Sequence, residues 1–99
     1  MKYDFTFIMT SSEVGETIDQ FTADNFEGAW EQWATVAVSW IQEQLKVLNL
    51  NEFEIHREIM ETEAQLLDGL SLVWLADFCV DMSVDVIQVI VVGHESSGL

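Results

Sequence analysis

The chain opens on an alternation of apolar and polar positions. Tyr3, Phe5, Phe7 and Met9 recur at period two against a polar side broken only by Ile8. This predicts a strand over residues 3–9. Ser11, Ser12, Glu13, Val14 and Gly15 read as a turn and residues 16–22 as a second, less regular strand. A connection this short makes the two an antiparallel hairpin. The period then changes. Phe26, Ala29, Trp30, Trp33, Val36, Ala37, Trp40, Ile41, Leu45 and Leu48 return mostly every three or four positions, which predicts an amphipathic helix of about six turns over residues 26–48. Asp24, with Glu27 three residues on, comes close to a capping box at its start. Glu27, Glu31, Gln32, Glu43 and Lys46 take the outer face. The helical spacing of Trp30, Trp33 and Trp40 assigns them to the core in preference to a ligand-stacking stripe.

Residues 52–80 admit two folds. Phe53, Ile55 and Ile59 alternate with Glu52, Glu54, His56 and Glu58, which favours a strand to about Met60, followed by one helical turn capped at Thr62 and ending near Gly69. Alternatively Asn51 and Glu54 cap a helix, and residues 52–80 are mostly helical. Further on, Leu72, Trp74, Ala76, Phe78 and Val80 alternate with Val73, Leu75, Asp77, Cys79 and Asp81, and residues 84–93 are β-branched and apolar on both sides. These read as two more strands, the last of them central. Residues 94–99 form a polar tail expected to fray. The favoured fold is one α+β domain over residues 1–99, ordered β-β-α-β-β-β. An antiparallel sheet of about five strands has one long amphipathic helix on one face. A single helix leaves the other face open. Ile8, Val73, Leu75, Cys79, Ile87, Val89 and Val91 are then expected on it, an apolar patch that marks a dimer or partner interface.

Composition sharpens this picture. Of 99 residues, 18 are Asp or Glu and 3 are Lys or Arg, a formal net charge of −15, yet 49% are hydrophobic. High charge implies disorder only when apolar content is low, so the chain is expected to fold. Three basic residues cannot neutralise a phosphate backbone, and an acidic membrane surface repels such a chain. No apolar run approaches the roughly 20 residues of a membrane helix. One cysteine and no visible secretory signal point to a reducing, cytoplasmic setting.

Catalytic chemistry finds little material. There is no nucleophile elbow, no phosphate-cradling glycine motif and no calcium loop. Cys79 lies in an apolar strand without neighbouring bases and reads as an inert, buried thiol. His56 with Glu52, Glu54 and Glu58 on one strand face does not close a coordination sphere. Neither a catalytic residue, a cofactor nor a metal is expected.

What remains is the charge. It exceeds the magnitude of about 2–8 that solubility requires and costs self-repulsion in the folded state; adaptation to a salty cytoplasm is a competing source. Alternate carboxylates on a strand near Ile55 would form a line about 6.6 Å apart, comparable to the phosphates of a nucleic-acid strand. The expected contacts with a basic partner are Glu52, Glu54, Glu58, Glu61 and Glu63, then Asp19, Asp24, Glu27 and Glu31. In length, in the ratio of 18 acids to 3 bases, in the strand–strand–helix opening (YDFTFIM, ETIDQFT, NFEGAWEQW) and in the acid-lined segment EFEIHREIMETE, the chain resembles the small acidic proteins that phages and mobile elements use against host defences. These include anti-CRISPR proteins and DNA-mimic inhibitors. The resemblance is one of composition and layout and carries over no residue roles. It implies a non-enzymatic inhibitor, acting in the host cytoplasm, that occludes a basic nucleic-acid-binding surface of a defence or DNA-processing complex. The alternative is a homodimeric structural or assembly protein using the apolar sheet face, with Val73, Leu75, Ile87, Val89 and Val91 as its contacts.

Overall fold

A computed structural model describes residues 2–67 and 72–96. The elements are β1 (Tyr3–Ser11), β2 (Gly15–Ala23), α1 (Phe26–Gln44), a 3₁₀ turn (Lys46–Leu48), α2 (Glu52–Glu61), β3 (Gln65–Leu66), β4 (Val73–Phe78) and β5 (Ile87–Glu95). The fold is α+β. Five strands form one sheet in the order β2-β1-β5-β4-β3, antiparallel at every pairing. Phe5, Phe7 and Met9 of β1, Ile87, Val89 and Val91 of β5, and Ala76 and Phe78 of β4 join Trp30, Trp33 and Ile41 of α1 and Ile55 and Ile59 of α2 in one core. The helices therefore share one face of the sheet.

The β1–β2 hairpin forms as its alternation predicts. Gly15 closes the turn at φ +86°, a backbone conformation that only glycine adopts without strain. The tip is held from two sides. The Trp40 indole Nε1 donates to the Val14 carbonyl at 3.0 Å. Across the tip, the Ser12 hydroxyl donates to the Asp85 carboxylate at 2.6 Å and the Asp85 N–H donates to the Glu13 carboxylate at 3.0 Å. In the neighbouring loop, the Ser83 hydroxyl and then its N–H donate to Asp81 and hold that carboxyl below the ordinary range.

α1 begins one residue later than the near capping box at Asp24 implies. Asn25 is the cap, and its side chain accepts from the Gly28 N–H at 2.8 Å. Trp30 and Trp33 are buried as their spacing requires, whereas Trp40, Val36 and Leu48 of the expected apolar face are exposed. α1 ends at Gln44, short of the expected residue 48, with Lys46–Leu48 continuing as the 3₁₀ turn.

The principal correction concerns residues 52–61, which form α2 and not a strand. Ile55 and Ile59 stand four apart and so satisfy either period, but a strand would set Arg57 on their apolar side. The Asn51 side chain accepts from the N–H groups of Phe53 and Glu54, and Glu52 and Glu54 complement the helix dipole in the first turn. The mostly helical alternative is right for this segment and fails at β4, where Val73–Phe78 is a strand. Thr62 ends α2 and does not begin a helical turn, and Gln65–Leu66 is a short strand. Gly69 lies outside the described residues. His94 and Glu95, assigned to a fraying tail, are the last residues of β5, paired with Asp4 and Tyr3.

Gly93 faces Phe5 across the β1–β5 pairing. A Cβ at this position would stand 2.9 Å from Phe5 Cε1, and the ring is held by Tyr3, Phe26 and Trp74. Gly93→Ala is therefore expected to cost about 1–3 kcal/mol through overpacking. This will register as a lower urea midpoint at unchanged m-value; a midpoint equal to that of the wild type would show that the ring yields freely.

Candidate functional site

The sequence strings acids along every element, and the fold sorts them. Glu27, Glu31 and Glu43 lie on α1, Glu52, Glu54, Glu58 and Glu61 on α2, and Glu63 in the segment after it. The helix layer is thus the most acidic part of the surface, and the open sheet face carries Asp4, Glu16 and Asp77.

Within the helix layer a groove of about 470 Å³ is lined by Phe26, Glu27, Trp30, Glu31, Met60, Thr62, Glu63, Ala64 and Trp74. Its shape follows from helix geometry. Residues 26, 27, 30 and 31 recur at 3–4 spacing along one side of α1. α2 is anchored alongside by the Trp30 Nε1, which donates to the Ile59 carbonyl at 3.2 Å, and Thr62 turns the chain by donating to the Glu58 carbonyl at 2.7 Å. β4 supplies Trp74, stacked on Phe26 with centroids 4.5 Å apart, and Trp30 lies 5.5 Å from Phe26. The result is an aromatic floor beneath the exposed carboxylates of Glu27, Glu31 and Glu63. An aromatic face beside carboxylates is suited to a guanidinium or ammonium group, which gains cation–π attraction and charge-assisted hydrogen bonds together.

The groove unites three of the acids expected from sequence, drawn from two separate runs. The remaining ones fall elsewhere. Glu54, Glu58 and Glu61 share one row of α2, with successive rises of about 6 and 4.5 Å at 1.5 Å per residue, so the expected strand line of carboxylates is replaced by a helical one. Glu52 faces a separate hollow with Phe53, His56, Thr35, Val38 and Ser39, so the four residues envisaged on one strand face are divided. Asp24 precedes α1 with its carboxylate 3.9 Å from Lys2 Nζ. Asp19 sits opposite Phe7 on the helix side of the edge strand β2, an inward-pointing charge that discourages another strand from pairing there.

The expected dimer face is half corrected. Val73 and Leu75 do lie on the open face of the sheet. Ile87, Val89 and Val91 do not: they are buried beneath the helices, and Ile90 and Val92 take their place outside. β5 is apolar on both sides, so its own sequence does not choose a face. Pairing with β1 does, setting Val91 beside Phe7 and Val89 beside Met9. Cys79 follows β4 and is exposed, contrary to the expected buried thiol. Sequence reasoning also missed the groove, since Phe26 and Trp74 read only as apolar positions of their elements and nothing brought them together, while Trp30 beneath them is core as its spacing implies. The available signal was the pair Glu27 and Glu31 flanking Trp30 on α1.

Among the described residues, no group of three or more His, Cys, Asp or Glu is placed to hold a metal ion, and no helix is long and apolar enough to cross a membrane. Comparisons of the chain with protein-family models, with curated proteins and with solved structures gave no match.

Proposed function

We propose that this chain is a non-enzymatic inhibitor that binds a basic, nucleic-acid-binding surface of a partner protein in the host cytoplasm and occludes it. The groove between α1 and α2 carries this reading. It receives an arginine or lysine side chain of the partner over the partly exposed rings of Phe26 and Trp74, and Glu27, Glu31 and Glu63 pair with the cation. The row Glu54, Glu58 and Glu61 extends the negative surface, steering the encounter and standing where phosphates would otherwise lie. Buried aromatic anchors with a charged rim are the usual composition of an interface hot spot. The resemblance in size and charge to anti-defence inhibitors of phages and mobile elements agrees with this mechanism.

The test is competition. Proteins captured from host lysate on the immobilised chain at about 0.1 M salt should elute at about 0.5 M, where screening shortens the reach of exposed charges. Once purified, the captured protein should release DNA or RNA as the chain is titrated in, with one chain displacing one bound nucleic-acid segment. A captured protein that keeps its nucleic acid when saturated with the chain would overturn the proposal. A second reading, a homodimeric assembly protein, draws its support from the open sheet face.

A further inference from the structure

The open face of the sheet has a regular layout that follows from the strand registers. Ile18, Ile8, Ile90 and Leu75 stand side by side on β2, β1, β5 and β4, forming an apolar belt across the strands. On one flank Gln20, Thr6, Val92 and Val73 form an uncharged row, and on the other Glu16, Thr10, Gln88 and Asp77 place charge only at the ends. Ile18 is 64% exposed, and Leu75, Ile90 and Val92 are exposed as well. Such a continuous apolar surface is uncommon on a monomer.

From this face we infer that two copies of the chain stack sheet to sheet, belt on belt, independently of any basic partner. Three features select a second copy as the occupant. The first is charge. Two chains of net charge −15 repel on close approach, and the open face is where they meet with the fewest acids, since it carries Asp4, Glu16 and Asp77 while the helix layer holds the seven acids of the two helices and Glu63. A two-fold axis lying along the belt sets Glu16 and Asp77 opposite the second copy's uncharged row, so that like charges do not face each other. The second feature is the guarding of the sheet edges. β3 is two residues long, and β2 carries the inward charge of Asp19, so edge-to-edge pairing is disfavoured. The third is area. Four strands at about 4.8 Å, three of nine residues and β4 of six at about 3.3 Å per residue, give a plane roughly 19 Å wide and about 20–30 Å long. With side-chain relief this is of the order of the ~800 Å² per partner of a standard interface. Sheets stack in this way in β-sandwiches, about 10 Å apart. The dimer would present its two acidic helix layers outward, one on each side.

Sedimentation equilibrium tests this on the full chain. The mass of two chains is expected at micromolar concentration, with association tighter at about 1 M than at about 0.1 M salt, because screening removes the repulsion and leaves the apolar contact. Ile18→Glu with Ile90→Glu should give a monomer with an unchanged circular dichroism spectrum. Ile18→Thr with Ile90→Thr, which keeps good strand formers at both positions, should weaken the dimer about tenfold or more and decides the matter if the glutamates impair folding. Glu54→Gln with Glu58→Lys should leave the dimer intact. A wild-type chain that stays monomeric to about 0.5 mM at high salt overturns the inference, as does a dimer indifferent to both belt variants. A monomer whose belt variants instead lose the basic partner would show that the face belongs to that partner.

Discussion

The combined variant Glu27→Gln, Glu31→Lys, Glu63→Lys is expected to bind the basic partner at least about 100-fold more weakly at ~0.1 M salt, since like charges set against each other across an interface cost several kcal/mol. Glu27 is neutralised and not reversed because it lies in the first turn of α1, where a cation would oppose the helix dipole. Glu27 and Glu31 are four apart on one helix and repel each other, so folding stability should be unchanged or slightly higher. The comparison that gives the result meaning is Glu54→Gln with Glu58→Lys, Glu54 being neutralised and not reversed for the same reason in the first turn of α2. These residues are on the outer row of α2, away from the groove, and their change should slow association and flatten its salt dependence while changing dissociation less. Surface plasmon resonance at two salt concentrations separates the two outcomes. Equal effects on the dissociation rate from both variants would mean that the groove is not the anchor, and that the partner reads a diffuse field.

How much of this was legible before the structure depended on whether one segment's own period could decide its fate. In β1 it could, since Phe5, Phe7 and Met9 alternate and are buried together. In α1 it could as well, apart from the exact cap, the end at Gln44 and the exposed Val36, Trp40 and Leu48. In α2 it could not, because Ile55 and Ile59 fit both periods and the decision rested on a side-chain cap at Asn51 and on the misfit of Arg57. In β5 the strand was legible and its orientation was not. Val89 and Val91 differ from Ile90 and Val92 only through their neighbours on β1, and register is a property of a pair of strands. The groove was illegible for a similar reason. Its acids were singled out, but Trp74 reaches Phe26 only after β4 has paired beside β5 and α1 has crossed the sheet.

The same distinction between core and groove fixes what Trp33 should do. Trp33 is fully buried, with its ring stacked on Phe7 at 5.2 Å and 8° between planes, and it lines no part of the groove. Trp33→Ala removes the centre of the core and is expected to cost about 3–5 kcal/mol, a large part of the roughly 5–15 kcal/mol that holds a domain of this size together. Trp33→Phe is a different experiment. The buried indole Nε1 finds no acceptor among the described residues, and an unpaired buried donor costs about 1–3 kcal/mol. Phenylalanine keeps a ring against Phe7 and deletes that donor, so the penalty of the smaller cavity is offset and the net loss should stay below about 1.5 kcal/mol. Urea unfolding followed by circular dichroism compares the two variants without relying on the fluorophore that was removed. Trp33→Phe should also keep wild-type affinity for the basic partner, because Phe26, Trp30 and Trp74 remain in place. A phenylalanine variant as unstable as the alanine one would show that the indole N–H does find an acceptor in solution, and that its hydrogen bond holds the core together.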